Sequence, residues 1–355
     1  MNLTSEPKVL VLGGSFGRWH ASTRVNDAST MNGIEAWVYA FNGEYDNGIH
    51  FDAKRINEYD IVIGNTNGDN LENFLRMLGH KHPETKFVAL VEGCATDYLT
   101  PKPNLREVFD GADLVNSINH YSTDLFRRMT STRVEYIGIP YPAESIRKLA
   151  LPFDQRKRQI FLTPRLLNRW TEYFCVQDLG VPYYGYERIL MRKWRNLWKN
   201  LTHLKTLDKQ YFIQKADASY HDPKLTIRKE GSLTEYFMDN RDAYAWLNLD
   251  YRYTWGRYVL DAAALQIPIV ATRSTGHAEH FFPQTMVENE FAVEQTRELL
   301  KRLLIDSAFY EEVATVPLEK FDHLRPEVKK RELIEILKGN ELVLENNSQI
   351  GISLL

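Results

Sequence analysis

Residues 242–281 read DAYAWLNLDYRYTWGRYVLDAAALQIPIVATRSTGHAEHF, and the order of parts in this stretch decides the fold. Ala243 to Leu249 is an apolar run of strand length that ends in a polar, aromatic loop. Gly256 then opens a segment rich in small residues with helical character, and Ile267 to Ala271 is a second charge-free run with β-branched residues. Two predominantly apolar strands joined through a helix are the signature of a parallel βαβ unit, because parallel strands need a long crossover and are covered on both faces.

The same rhythm extends outward from this stretch. Upstream, Gln159 to Thr163, Pro182 to Gly185 and Leu225 to Ile227 predict further strands of the same domain, and helices over about 294–305 and 326–338 follow it. Nearer the start, Val9 to Leu12 runs into Gly13-Gly14-Ser15-Phe16-Gly17, a buried strand feeding a glycine turn. Strands are predicted again at Ile34 to Ala40, Ile61 to Gly64, Phe87 to Val91, Leu114 to Ser117 and Val134 to Ile137. The expected architecture is α/β, with two Rossmann-like doubly wound domains facing each other across a cleft. Residues 1–145 form the first domain and 146–325 the second; a helix and tail over 326–355 pack back on the first. The polar, basic residues 143–158 make the connection.

Composition fits this reading and excludes others. A chain of 355 residues exceeds the size at which a single core stops growing. With 43% hydrophobic and 26% charged residues it is an ordinary globular protein. A net charge of -3 exerts no overall pull toward nucleic acid or anionic lipid. Cys94 and Cys175 form neither a disulfide framework nor a zinc site, which suits a reducing, cytoplasmic setting. No apolar stretch reaches membrane-spanning length.

Ligands of parallel sheets bind beyond the carboxyl ends of the strands, so the loops there carry the chemistry. A helix opening at Gly256 offers backbone N–H groups and a positive dipole end, which suit a diphosphate. One turn further in stands Asp261, either a ligand for hydroxyls or merely a polar residue on an exposed helix face. The stretch 242–281 resembles the donor-binding core of GT-B glycosyltransferases, in particular the retaining family 4 group, where two glutamates eight positions apart surround a glycine. Gly256 occupies the glycine position, and the glutamate positions fall on Tyr253 and Asp261. Ala262, the strand entry Gln266-Ile267-Pro268-Ile269-Val270 and the turn Ser274-Thr275-Gly276 with Glu279 follow in the family's order. Tyr253 brings no charge where the family has glutamate, and Asp261 is one methylene shorter.

The resemblance implies that Asp261 binds the donor ribose, that Tyr253 sits beside the donor sugar, and that Thr254, Trp255, Gly256 and Arg257 line the donor. It likewise implies that Arg165 and Arg169, in QIFLTPRLLNRW, clamp the diphosphate; guanidinium groups match phosphate oxygens in pairs and make a metal dispensable. In IRKEGSLTEYF, Gly231 is placed in a loop over the nucleobase, although Ser232 and Glu235 also spell a helix capping box. In the first domain, Gly13, Gly14, Ser15 and His20 are candidates for an acceptor or phosphate loop, and Glu92 for a base or acceptor contact. A dinucleotide-binding reading is disfavoured by the glycine spacing and by a second strand expected to end in Asn42. His120 and Ser122 are placed on a loop after a strand, either lining the cleft or capping a helix.

Residues 188–205, RILMRKWRNLWKNLTHLK, combine a tryptophan-leucine stripe with basic residues and predict a helix able to rest on a membrane surface or a nucleic-acid backbone, or to pack on the second domain. Tyr183, Tyr184 and Tyr186 add aromatic surface nearby. The function expected is metal-independent transfer, requiring no cofactor, of a sugar from a UDP- or GDP-sugar to a saccharide or lipid-linked hydroxyl, with retention of configuration. Two alternatives stand beside it: a viral type of enzyme glycosylating hydroxymethylated DNA bases, and a GT-B-shaped nucleotide-sugar-binding protein without turnover.

Overall fold

The computed structural model describes residues 6–13, 33–48, 50–67, 70–163, 170–186, 224–228 and 232–340. The first sheet contains β1 (Val9–Leu12), β2 (Glu44–Asp46), β3 (Ile61–Asn65), β4 (Lys86–Val91), β5 (Leu114–Ser117) and β6 (Val134–Tyr136). All its pairings are parallel, in the order β2-β1-β3-β4-β5-β6. The second contains β7 (Lys157–Leu162), β8 (Tyr183–Tyr186), β9 (Leu225–Arg228), β10 (Ala243–Asn248), β11 (Ile269–Thr272) and β12 (Met286–Val287). It too is parallel throughout, in the order β12-β11-β10-β7-β8-β9.

The strands are apolar on both sides because both faces are covered. Val9 and Val11 pack with Ile61, Ile63, Val88 and Leu90 on one face. Leu10 and Leu12 pack with Val62, Phe87, Ala89 and Val91 on the other. The period of two sorts one strand into two cores. The first of these cores continues through Tyr141 and Trp255 into the second domain, so the two sheets share one apolar body.

Helices α1 (Glu35–Phe41), α2 (Leu71–His80), α3 (Leu105–Gly111), α4 (Thr123–Met129) and α5 (Ala143–Arg147) belong to the first half and its exit. The second half carries α6 (Trp170–Val176), α7 (Leu233–Asn240), α8 (Arg257–Ala264), α9 (Ala278–Phe281), α10 (Val293–Ile305), α11 (Ser307–Ala314) and α12 (Pro326–Leu337). α12 returns to pack on α1, where Lys330 Nζ sits 3.0 Å from Glu6 and 5.6 Å from the centre of the Phe41 ring. The connection is anchored to the second half: Arg147 donates to the carbonyls of Ala264 and Val316, at 2.7 Å each.

Two sequence expectations need correction. The run Ile34 to Ala40 is the helix α1, not a strand. Glu35, Ala36, Trp37, Val38 and Phe41 are all buried in it, so the run has no polar face to reveal a helical period. Asn42, left-handed at φ 49°, stops it, and the true second strand is the three-residue β2. Tyr183, Tyr184 and Tyr186 are not surface aromatics: all three are buried in β8, with the Tyr184 and Tyr186 hydroxyls bonded to Asn240 at 2.9 and 2.8 Å.

Candidate functional site

Beyond β10 the chain runs through Asp250 to Gly256 before α8 begins. Asp250 organises this loop. Its carboxylate receives the Arg252 guanidinium at 2.7 Å, and its carbonyl accepts from the hydroxyls of Thr272, at the end of β11, and Ser274. Gly256 lies at φ 84°, and a Cβ there would stand 1.7 Å from the Thr275 carbonyl oxygen. Gly276, at φ 78°, closes against the Thr254 carbonyl in turn. Only glycine permits such positive φ and such backbone contact together. The two glycine turns interlock and fix where α8 starts.

The first domain closes on this structure from the ends of β4 and β5. Ala95 N donates to Tyr253 O at 3.1 Å, and Cys94 forms an antiparallel bridge with Thr254. Asn119, only 1% exposed, donates through Nδ2 to the carbonyls of Thr254 (2.7 Å) and Ser274 (3.2 Å). One amide of the first domain thus satisfies both glycine turns of the second. Sequence reasoning selected its neighbours His120 and Ser122 instead; Ser122 Oγ bonds the Asn119 carbonyl at 2.9 Å, a local helix-start contact. Tyr121 reaches across to Glu279 with a 2.8 Å hydrogen bond.

Tyr253 has φ 54°, a left-handed conformation that costs a bulky residue about 1–2 kcal/mol. The bond from Ala95 and the packing of its ring, 6.2 Å from that of Tyr121, hold it there. Asp261 is not on an exposed face. It is 1% exposed, and its Oδ1 accepts from Tyr141 Oη at 2.6 Å and Arg257 Nε at 3.0 Å. Burial works against the Arg257 charge, and the carboxylate of Asp261 more than offsets it, so its pKa lies above the usual arginine value. Burial, followed by that same carboxylate, raises Tyr141 well above the usual tyrosine value. Asp261 and Arg257 therefore form a buried pair that ties α8 to the interdomain connection. Trp255 lies in the same interior, between the rings of Tyr141 (6.1 Å) and His277 (6.0 Å).

At the opposite edge, Asn65 at the end of β3 donates to the Gly13 carbonyl at 3.2 Å and to the Glu92 carboxylate. Gly13 leaves room for Tyr45, whose hydroxyl oxygen would lie 2.0 Å from a Cβ at that position. Burial raises the Tyr45 pKa, and the carboxylates of Glu35, Glu92 and Asp46 add to it. Glu92 thus stands at the first domain's strand ends, two residues before the Cys94–Thr254 bridge. The second strand ends on an acidic residue, Asp46, not on Asn42; its Oδ1 accepts from Gly48 N at 2.7 Å. That removes one ground for disfavouring a dinucleotide, and leaves the glycine spacing as the other.

Arg165, Arg169, Gly14, Ser15, His20, Gly231 and the basic segment 188–205 lie outside the described residues. β7, which precedes Arg165, pairs directly with β10, which precedes the Gly256 loop. Ser232 and Glu235 form the capping box that starts α7. Among the described residues no group of three or more His, Cys, Asp or Glu side chains is placed to hold a metal, and no helix is long and apolar enough to cross a membrane.

No protein-family model matches the chain, and no curated protein matches its sequence. Its fold does match solved structures. An alpha-glucosyltransferase in complex with UDP and a 13-mer DNA containing an HMU base is 13% identical, with a TM-score of 0.60 over 94% of this chain and 100% of that one. The alpha,alpha-trehalose 6-phosphate synthase of Burkholderia multivorans is 11% identical, with a TM-score of 0.62 over 94% and 96%. Anabaena HepE, in complex with UDP and glucose, is 12% identical, with a TM-score of 0.61 over 94% and 99%. Two parallel six-stranded sheets meeting at their loop-bearing edges, and alignment over nearly the whole of each chain, give this protein the GT-B fold of glycosyltransferases.

Proposed function

We propose that this protein transfers a sugar from a nucleotide diphosphate sugar, of the UDP type, to a hydroxyl acceptor. The observation that carries the reading is the junction itself. The glycine-fixed start of α8 is held against the loops bearing Glu92 and Asn119, so a donor bound on one domain faces an acceptor bound on the other. Likeness in fold to proteins solved with UDP supports a uridine donor.

In this reading the leaving diphosphate lies at the α8 start, between Gly256 and the pair Arg165 and Arg169. Helix dipole and guanidinium groups stabilise the charge that develops on it, which is what a metal ion would otherwise supply. Tyr253 packs beside the donor sugar, and Glu92 orients the acceptor hydroxyl. Asp261 acts one step removed, by locking Arg257 and Tyr141 and so the helix start. Retention of the anomeric configuration follows from the family 4 resemblance and goes with an electrostatic mechanism in which Tyr253 contributes contact rather than charge.

The test is incubation with UDP-glucose and related donors, with UDP release measured against time. Release that rises with a hydroxyl acceptor supports transfer. A Tm raised by UDP without consumption of any donor, even with cell-extract acceptors, turns the reading into that of a binding protein. A second acceptor class, DNA with hydroxymethylated bases, is favoured by the likeness to the DNA-bound glucosyltransferase and by the basic residues of 188–205. Retardation of such a duplex that disappears with added salt distinguishes it.

A further inference from the structure

Beyond the ends of β10, β11 and β12, a pocket of about 110 Å³ is lined by Tyr121, Tyr251 and Tyr253 together with Arg273, Glu288 and Glu290. Tyr121 comes from the first domain and the others from the second, so the pocket exists only where the domains meet. Its three tyrosines are 36%, 47% and 44% exposed, whereas most other tyrosines among the described residues, such as Tyr45, Tyr141 and Tyr310, are buried. Its charges are not arranged for an anion. Arg273 Nε is 3.1 Å from Glu288 Oε2, which offsets its charge without a hydrogen bond at Nε, and the carboxylates of the pocket outnumber this one cation. Glu290 is left over, and Glu279 stands behind the Tyr121 hydroxyl. A phosphate group would meet a surplus of carboxylates. Flat aromatic faces bordered by carboxylate and amide groups instead suit a ring with an apolar face and a rim of hydroxyls. The volume is well below the roughly 300–1,000 Å³ of sites that enclose a drug-sized ligand, and fits a single ring resting in an open subsite.

The geometry points to a subsite for an uncharged saccharide, built on the second domain around Tyr251 and Tyr253 and bordered by Tyr121 of the first, and it rests on the proposed sugar transfer. It selects neutral sugars over sugar phosphates and over nucleic-acid strands. Tyr251 supplies a stacking face, and Glu288 and Glu290 accept from sugar hydroxyls.

Saturation-transfer NMR on the full chain tests this, using glucose, galactose, mannose and their common disaccharides, glucose 6-phosphate, and a single-stranded DNA 13-mer, with UDP present. Signal is expected from at least one neutral sugar and none from glucose 6-phosphate. Tyr251→Ala, at an exposed position, should weaken the sugar by about tenfold. Glu290→Lys, which removes both a hydroxyl acceptor and the surplus negative charge, should weaken the neutral sugar by at least about threefold and admit glucose 6-phosphate. If no neutral sugar binds, or if glucose 6-phosphate or the DNA occupies the Tyr251-dependent site, the subsite is overturned. UDP raising the Tm at the same time would leave the donor reading standing. Sugar binding in a chain whose Tm does not respond to UDP would have the opposite meaning: the pocket stands and the donor reading fails.

Discussion

The two sheet edges that face each other are built by different means. In the second domain the site is backbone: Gly256 meets the Thr275 carbonyl at a distance no side chain tolerates, Gly276 packs tightly against the Thr254 carbonyl, and carbonyls of the turns are capped from outside by Asn119. In the first it is side chain: Asn65, Glu92 and Gly13 are joined by amide and carboxylate hydrogen bonds around the Tyr45 ring. The strand orders differ in parallel with this. Numbered within its own domain, the second sheet runs 3-2-1-4-5-6, the order of dinucleotide-binding sheets, while the first runs 2-1-3-4-5-6. A backbone site is rigid and suits a constant group such as a diphosphate. A side-chain site changes with sequence and suits an acceptor.

Substitutions can break or sharpen this contrast. The largest effect is expected for Gly256→Ala, where the added carbon meets a backbone carbonyl and the positive φ adds strain. A loss of at least about 3 kcal/mol in urea unfolding is expected, whereas Gly180→Ala, equally left-handed but uncrowded, should lose only about 1 kcal/mol. Asn119→Ala strips the Thr254 and Ser274 carbonyls of a shared buried donor, and about 2–4 kcal/mol should be lost. Asn119→Asp, which opposes acceptor to acceptor, should be no better. On the side-chain edge, Glu92→Gln keeps the shape, so stability should stay within about 1 kcal/mol while transfer to acceptor falls at least about tenfold.

The smallest effect depends on pH. Burial, with His323, His280, His120 and Lys329 behind it, holds His277 well below the usual histidine value. The unfolded chain binds a proton there below about pH 6.5 and the folded chain does not. Stability is therefore full above that pH and falls as the pH drops below it. His277→Phe should flatten the fall, measured as Tm at pH 7.5 and pH 5.5.

What was legible in the sequence follows from how local the signals are. Strands such as Val9–Leu12 are continuous apolar runs and are readable as such. β2 and β12, with three and two residues, are too short to carry a pattern. α1 hid because burial on nearly all sides erased its period. The glycine at 256 is legible because opening a helix is a local feature, although its contact with Thr275 is not; Asn119 is not legible, because its partners lie 135 and 155 residues away. The same distance hid the burial of Asp261, whose partner Tyr141 is 120 positions upstream.

The central claim is that a nucleotide diphosphate binds at the start of α8 with Arg165 and Arg169 as its cationic partners. Calorimetric titration of UDP into the wild type and into the Arg165→Ala, Arg169→Ala double variant tests it most directly. One saturable site in the wild type, weakened at least about tenfold in the variant, is the result expected. No binding to the wild type, or equal affinity in both, would contradict it.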